Sequence, residues 1–203
     1  MIGGCLVDVL MAHKGRNYNV YASGRNEERA GRRFLKYADD NAFHFVKYDV
    51  AQPLEYDVNF QYIIHAASGA YPEEFIKHPV EVIKGNINGL DNLMGYGIQH
   101  GIKRLLYISS GEVYGEGDGR VFTENYSGYV DCTSLRSCYP SSKRAAETLC
   151  ISYGAEYGID VVIARPCHVY GPGFTESDNR VYAQFIRNVL PVSYTHLRAH
   201  ETG

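Results

Sequence analysis

Short apolar segments alternate with helical segments along most of the chain, and this alternation restricts the fold more than any other feature. The segments with strand composition cover residues 17–23, 43–50, 62–68, 103–110 and 159–166. The helical segments cover residues 4–14, 27–37, 78–101, 141–158 and 181–190. Such alternation is typical of β-α-β units, in which helices cover parallel strands. The pattern therefore predicts an α/β fold with a parallel sheet buried on both faces.

The composition argues against several classes of partner. With 203 residues and 45% hydrophobic side chains, the chain has enough apolar material for one sizeable core. Its net charge of −3 provides no basic surface for nucleic acid. No apolar run reaches the length of a membrane span, and the N-terminus does not read as a signal peptide. We therefore expect neither nucleic acid nor a membrane as a partner.

The cysteines favour a reducing compartment. The chain has five cysteines, an odd number, and none of them forms a CxxC pair. This pattern predicts buried thiols that fill the core, and a cytoplasmic location. Because no cysteine and histidine pair has the spacing of zinc ligands, we expect no metal site.

Small and polar residues recur where the predicted strands end. These ends are Ser23-Gly24-Arg25, Asp49-Val50, Ala66-Ala67-Ser68, Ser109-Ser110-Gly111-Glu112 and Pro166-Cys167-His168. Turn chemistry alone explains any single one of them. In open parallel sheets, however, ligands bind beyond the carboxyl ends of the strands. Five such ends together predict a nucleotide site at this edge of the sheet.

Tyr139 and Lys143 stand four residues apart at the start of a helical segment. This spacing places both side chains on one face of a helix. An ammonium group beside a phenol favours the phenolate, so we expect the pKa of Tyr139 to be lowered from about 10 toward neutrality. Such a phenol is a general base for a sugar hydroxyl. The alternative is an exposed lysine beside a tyrosine at the edge of the core.

The order of several motifs resembles one known family. The motifs are YIIHAAS (62–68), NINGLDNL (86–93), YISSGEVYG (107–115), YPSSK (139–143) and RPCHVYGPG (165–173). Together they resemble the NAD(P)-dependent epimerase/dehydratase branch of the extended short-chain dehydrogenases/reductases. The resemblance implies a Rossmann-like doubly wound parallel sheet, a bound NAD or NADP and a nucleotide-sugar substrate. It also implies a homodimer for the full-length protein.

The resemblance carries roles onto matching positions. Tyr139 would accept a proton, Lys143 would tune it, and Ser110 would hydrogen-bond the reacting hydroxyl. Glu112 would be an acid or base, although an exposed loop carboxylate is an equal alternative. The residues implied in cofactor binding are Gly3, Arg25, Asp49, Val50, Ala66, Ala67, Ser109, Tyr139, Lys143 and Pro166.

Arg25 bears on the choice between NAD and NADP. Sites that prefer NAD place a carboxylate at the end of the second strand. The chain has SGRN at residues 23–26, without an acid. Arg25 could pair with a 2′-phosphate, which favours NADP. A solvated arginine in the charged run RNEER is the alternative, so both cofactors stay open.

The pair Gly111-Glu112 bears on the reaction. Sugar-nucleotide 4,6-dehydratases carry Asp-Glu at this point, and UDP-glucuronate decarboxylases carry Ser-Glu. Because a glycine cannot protonate a leaving hydroxyl, simple 4,6-dehydration is disfavoured. The run Arg136-Ser137-Cys138-Tyr139 resembles the decarboxylases, but Gly111 and His168 depart from their pattern.

Two other functions stay open at this point. The first is a non-catalytic nucleotide-binding protein with the same fold. The second is a simple short-chain alcohol dehydrogenase that acts on a small or steroid-like carbonyl compound. Net consumption of added NAD(P)H would indicate this second function, since a sugar-nucleotide enzyme recycles its cofactor.

Both ends of the sequence depart from the family pattern. Family members begin with a strand and a TGxxGxxG turn, and MIGG at residues 1–4 resembles the last part of that turn, with Gly3 as its third glycine. We therefore expect the first strand and most of the glycine-rich turn to be missing. We expect residues 1–190 to form the NAD(P)-binding domain. Residues 191–203 are predicted to be a non-native or disordered tail.

Overall fold

A computed structural model describes residues 2–69, 72–171 and 181–189. Residues 2–168 form one compact unit, and helix α6 (Val181–Val189) belongs to a second unit. Every residue with a predicted site role lies in the first unit. The predicted domain end at residue 190 and the predicted tail at 191–203 lie outside the described residues.

The first unit alternates helices and strands in the predicted order. Its helices are α1 (Ile2–Ala12), α2 (Glu27–Arg33), α3 (Pro72–Lys77), α4 (Pro79–Gln99) and α5 (Cys138–Tyr157). Its strands are β1 (Val20–Gly24), β2 (Phe43–Lys47), β3 (Tyr62–His65), β4 (Arg104–Ile108) and β5 (Asp160–Ala164). Short 3-10 helices cover Leu35–Tyr37, Gly111–Tyr114 and Leu135–Ser137. Each predicted element is confirmed, and α3 is an addition that the sequence pattern did not reveal.

All strand pairs are parallel, as predicted, but they belong to two sheets. One sheet pairs β1 with β2, and the other has the order β3-β4-β5. In the larger sheet Ile63 pairs with Leu105, and Leu105 pairs with Val161. Several strands end earlier than predicted, because the small and polar residues at their carboxyl ends turn away from the sheet.

The main core lies between β4 and the helices α4 and α5. Leu105 and Tyr107 of β4 are completely buried against Leu90 of α4 and Cys150 of α5. Apolar burial of this kind is the main source of stability for such a layer. The packing fixes α5 over the carboxyl end of β4, which determines where the functional side chains of α5 lie.

Helix α5 begins three residues earlier than the predicted start at residue 141. Pro140 occupies its first turn, where a missing N–H leaves no hydrogen bond unmade. Tyr139 therefore lies within the helix rather than before it. At the other end, Gly158 adopts a left-handed conformation with φ 69° and closes the helix, as glycine commonly does.

No helix in the described ranges is both long enough and apolar enough to cross a membrane. The carboxyl ends of β3, β4 and β5 lie at one edge, as predicted. The predicted burial of the sheet on both faces is wrong for the described residues, because Tyr62 and Ile64 of β3 and Val162 of β5 are exposed.

Two glycines of α4 provide a test of the packing. A Cβ added at Gly97 would lie 2.9 Å from Ile102 Cγ2 and 3.1 Å from its Cβ, whereas nothing lies within 4 Å of one added at Gly95. We expect Gly97→Ala to lower the free energy of unfolding by about 1–3 kcal/mol through overpacking. We expect Gly95→Ala to raise it by up to about 1 kcal/mol through helix propensity. Urea denaturation measures both, and equal effects of the two variants would contradict this packing.

Candidate functional site

Tyr139 is the centre of a buried polar cluster at the carboxyl edge of the larger sheet. The first turn of α5 carries it, and only 6% of the residue is exposed. The hydroxyl groups of Ser110 and Ser68 lie beside the phenol. Its ring stacks on the ring of Phe75 in α3, with 4.8 Å between the centroids. The phenol is thus fixed from three separate segments of the chain.

The predicted lowering of the pKa of Tyr139 is wrong for this structure. Burial raises the pKa above its usual value, because it disfavours the charged phenolate. The hydrogen bonds from Ser110 and Ser68 act in the opposite direction but do not outweigh burial. Spacing along the helix indicated a nearby cation, but it could not indicate how deeply the phenol is buried.

Lys143 lies one turn further along α5 and is 2% exposed. Its ammonium group donates a hydrogen bond to the carbonyl of Ile108 at 2.8 Å. It lies 4.7 Å from the ring centroid of Tyr107 and 5.9 Å from that of Tyr139. Burial lowers the pKa of Lys143 to about 8, although Glu147 and Cys150 act to raise it. Tyr139 and Lys143 therefore share one face of α5, as predicted, and the alternative of an exposed lysine is wrong.

Ser110 caps a short helix and also lies beside Tyr139. Its side-chain oxygen accepts a hydrogen bond from the backbone N–H of Glu112 at 3.2 Å and so caps the 3-10 helix Gly111–Tyr114. The same hydroxyl contacts the phenol of Tyr139. The neighbouring Ser109 is 4% exposed, and its hydroxyl has no hydrogen-bond partner among the described residues.

A chain of buried hydrogen bonds connects β3, α4 and α5 beneath the phenol. Ser68 Oγ donates to Asn86 Oδ1 at 2.8 Å, and Asn86 Nδ2 donates to Ser142 Oγ at 2.9 Å. Ser142 Oγ also lies within hydrogen-bond distance of the carbonyls of Cys138 (2.6 Å) and Tyr139 (3.1 Å). Asn86 thus joins the end of β3 to α5 through side-chain hydrogen bonds. Ser68 and Ser142 are positioning residues that the sequence analysis did not assign.

Glu112 lies at the rim of the cluster and forms an ion pair. Its Oε1 accepts a hydrogen bond from Arg136 Nη2 at 2.7 Å, and the two side chains are 39% and 50% exposed. The guanidinium carbon of Arg136 lies 4.6 Å from the ring centroid of Phe75. Arg136 therefore holds the carboxylate of Glu112 in place, while the side chain stays partly exposed.

A second ion pair supports the helix behind Lys143. Arg165 contacts both carboxylate oxygens of Glu147, through Nε at 2.9 Å and Nη2 at 2.6 Å. Arg165 Nη1 also donates to the carbonyl of Glu124 at 2.7 Å. This pair ties the end of β5 and the loop after β4 to α5. The sequence analysis did not identify it, because the two partners are 18 positions apart.

Gly111 and Pro166 show how the ends of β4 and β5 meet. The backbone N–H of Gly111 donates to the carbonyl of Pro166 at 2.9 Å. A Cβ added at Gly111 would lie 2.8 Å from Cys167 Sγ and 3.3 Å from its Cα. Gly111, which departs from the family pattern, thus stands where the chain after β5 comes too close for a side chain.

Gly3 and Ala66 also come together, although they are far apart in sequence. A Cβ added at Gly3 would lie 3.7 Å from Ala66 Cβ, so the first turn of α1 packs directly on the end of β3. Ala67 follows as an exposed residue. Small residues at this junction allow close approach of backbone, which is what a phosphate cradle at a helix N-terminus requires.

The remaining predicted residues lie at the ends of the smaller sheet. Arg25 follows β1 and is exposed. Asp49 Oδ1 accepts a hydrogen bond from the N–H of Ala51 at 3.1 Å, a contact typical of an aspartate in a turn. Asp49 also lines a cavity of about 530 Å³. The carbonyl of Val50 accepts from Asn92 Nδ2 at 3.0 Å, and the side chain of Val50 packs against Gly89. The structure places these residues in a separate group from Tyr139.

His65 lies behind the cluster and is buried, with 2% of the residue exposed. Burial and then the charge of Lys143 lower its pKa to about 3. Its Nε2 and the hydroxyl of the neighbouring Tyr107 have no hydrogen-bond partner in the described part of the chain. Such an environment is typical of a histidine packed in the core. Within the described residues, no group of His, Cys, Asp or Glu side chains is placed to hold a metal ion.

The arrangement can hold a dinucleotide. Ser109, just after β4, presents a buried hydroxyl that has no partner in the described ranges, and small residues line the junction of α1 and β3. These features fit a nicotinamide cofactor.

Comparison with known proteins gives sequence relatives over nearly the whole chain. The UDP-glucuronic acid decarboxylase 6 of Arabidopsis thaliana is 35% identical over 192 residues, which are 93% of this chain and 54% of that protein. The UDP-glucuronic acid decarboxylase 1 of Xenopus tropicalis is 32% identical, over 93% of this chain and 44% of that protein. The chain thus spans about half the length of these curated relatives.

Solved structures share the fold. A UDP-N-acetylglucosamine 4-epimerase from Methanobrevibacter ruminantium superposes with a TM-score of 0.78 at 23% identity, over 94% of this chain and 59% of that one. A UDP-glucuronic acid 4-epimerase from Bacillus cereus, in complex with UDP-glucuronic acid and NAD, gives 0.75 at 22% identity, over 93% and 60%. The predicted Rossmann-like α/β fold is confirmed by these likenesses.

The model of the NAD dependent epimerase/dehydratase family matches residues 1–196. This match covers most of the chain and includes the segments that carry Ser110, Tyr139 and Lys143. The chain therefore belongs to the NAD dependent epimerase/dehydratase family of enzymes.

Proposed function

We propose that the protein is a sugar-nucleotide enzyme that oxidises the sugar at C4, with Tyr139 as the proton acceptor. The observation that carries this proposal is the buried phenol of Tyr139, which contacts the hydroxyl of Ser110 and shares a helix face with Lys143. A general base must lie within hydrogen-bond reach of the proton that it accepts. A sugar hydroxyl bound beside Ser110 would meet this condition.

The surroundings of Tyr139 make its phenol a weaker acid than a phenol in water. Because burial raises its pKa, the protonated form dominates before substrate binds. Lys143 is the nearest buried cation, and it is held by the carbonyl of Ile108. The hydroxyl of Ser110, whose oxygen accepts from the N–H of Glu112, can donate its hydrogen to the phenolate. These groups would share the negative charge when Tyr139 gives up its proton to solvent and takes one from the substrate.

We propose NAD or NADP as the cofactor. Gly3 and Ala66 would allow its pyrophosphate to approach, Ser109 and Pro166 would line the nicotinamide, and Lys143 would bind its ribose. Asp49 and Val50 would lie near the adenine, and exposed Arg25 would favour NADP if it meets a 2′-phosphate. When bound, the nicotinamide supplies hydride acceptance and hydride return. Residues 1–190 would form this cofactor-binding part.

We further propose UDP-glucuronic acid as the substrate. The sequence relatives named above are decarboxylases of this compound by name. A ketone at C4 is β to the carboxylate at C6, and a β-keto acid loses carbon dioxide readily. Glu112 is placed at the rim of the site, where it would act on the substrate as an acid or base. A nucleotide sugar is thus the proposed partner, and a homodimer through α4 and α5 is proposed for the full-length protein.

The proposal predicts the effect of removing the hydroxyl oxygen of Tyr139. In the full-length protein, Tyr139→Phe should lower kcat with UDP-glucuronic acid by about 10²–10⁴-fold, because the phenol is the proton acceptor. NAD should still bind, since the ring and its contact with Phe75 stay. Product analysis for carbon dioxide and a UDP-pentose, together with NAD titration, measures both effects.

Tyr153→Phe is the matched control, because Tyr153 lies on the same helix and its hydroxyl donates to Asp91 away from the cluster. It should keep wild-type turnover. Turnover that survives in Tyr139→Phe would contradict the assignment of the base. Net consumption of NAD(P)H without a sugar-nucleotide product would instead favour a simple alcohol dehydrogenase.

The buried Lys143 predicts a pH dependence of stability. Its pKa is about 8 in the folded state, below the usual value of 10.5. Between these values the unfolded chain binds more protons, so this group makes the folded state more stable as pH rises through this window. The free energy of unfolding of the wild type relative to Lys143→Met should therefore rise by up to about 3 kcal/mol over this range. Denaturation at several pH values measures it, and a constant difference would contradict the burial of a charged lysine.

A further inference from the structure

We propose that Arg136 is a positioning residue that holds the carboxylate of Glu112 at the rim of the site and offsets its negative charge near Tyr139. The inference rests on the proposed function, because the task assigned to Arg136 belongs to that reaction. Arg136 is outside the set of site residues predicted from the sequence. It gives the ion pair between two 3-10 helices a part in the reaction.

The first support is the geometry of the ion pair. Arg136 Nη2 donates to Glu112 Oε1 at 2.7 Å. Each partner is carried by a 3-10 helix, Glu112 by Gly111–Tyr114 and Arg136 by Leu135–Ser137. Ser110 caps the first of these helices, and the hydroxyl of Ser137 donates to the carbonyl of Asp131 at the base of the second. Both backbones are therefore anchored, which fixes the points from which the two side chains reach each other.

The second support is the face on which the guanidinium lies. Its carbon is 4.6 Å from the ring centroid of Phe75, a residue that is 2% exposed. Phe75 stacks in turn on Tyr139 at 4.8 Å with an interplanar angle of 23°. The cation, the phenylalanine ring and the phenol are thus connected by ring contacts. An arginine suits this position better than a lysine, because a planar guanidinium can lie on a ring and donate at its edge.

The third support is the charge around the phenol. Glu112 and Arg136 act on Tyr139 in opposite directions, the carboxylate against the phenolate and the guanidinium in its favour. Among the described residues, Lys143 on α5 also approaches the ring of Tyr139, with its Nζ 5.9 Å from the centroid, and the neutral hydroxyls of Ser110 and Ser68 lie beside the phenol. Removal of Arg136 would leave a free carboxylate beside a group that must become negative.

The test is a double-mutant cycle in the full-length protein with UDP-glucuronic acid and NAD. Arg136→Gln should lower kcat by about 10-fold or more while KM and NAD affinity change little. Because Arg136 acts through Glu112, the same substitution in a Glu112→Gln background should change kcat by less than about 3-fold. Arg136→Lys, which keeps the charge without the planar fork, should lie between wild type and Arg136→Gln.

Arg104→Gln is the matched control, since Arg104 forms an exposed pair with Asp160 at the opposite end of β4 and should keep wild-type kcat. An equal loss of kcat from Arg136→Gln in both backgrounds would overturn the inference, because Arg136 would then act independently of Glu112. Wild-type kcat in Arg136→Gln would also overturn it.

A second readout does not depend on turnover and so separates this inference from the proposed function. In protein labelled with ¹³C at the tyrosine Cζ, the signal that disappears in Tyr139→Phe reports the titration of this phenol. Arg136→Gln should move its midpoint upward by about half a pH unit or more, and Glu112→Gln should move it downward. Shifts in the same direction, or no shift from either variant, would overturn the inference even if the wild type turned over no sugar nucleotide.

Discussion

The site depends on the burial of one charged lysine, Lys143, near the start of α5. Lys143 is 2% exposed, and its ammonium group is held by one backbone carbonyl, at the end of β4, and by the ring of Tyr107. Burying a charge is costly unless it is paired. Glu147, held by Arg165, provides the compensating negative charge one turn away. Because the ammonium group must reach the carbonyl of Ile108, α5 has to pack closely on β4. This close packing brings Tyr139 to the carboxyl ends of the strands.

The same closeness explains why the cluster contains so many hydroxyl and amide groups. Ser68, Asn86 and Ser142 join three elements by hydrogen bonds that no single helix or strand could make. A buried polar network is stabilising when its members are satisfied, and it then fixes one arrangement of the elements. The phenol of Tyr139 is positioned by this network below and by Phe75 at its side. A rigid proton acceptor is what catalysis by general base requires.

The sequence predicted the fold and the central residues because these depend on local patterns. Alternating segments gave the parallel strands, and the spacing of Tyr139 and Lys143 placed both on one helix face. The position of Phe75 was not predictable, because α3 is a single short helix that ends where α4 begins at Pro79. The direction of the pKa shift of Tyr139 was not predictable either, since burial depends on contacts between distant segments. Asn86 and Ser142, for example, are 56 positions apart.

The central claim is that the chemistry passes through oxidation at C4 of a sugar nucleotide. The most direct measurement compares turnover of UDP-glucuronic acid carrying deuterium at C4 with turnover of the unlabelled compound, in the full-length protein with NAD. A slower kcat for the deuterated compound, with transient absorbance of reduced nicotinamide in a single turnover, is the result we expect. The account would be contradicted if product formed at equal rates from the deuterated and unlabelled compounds and no reduced nicotinamide appeared.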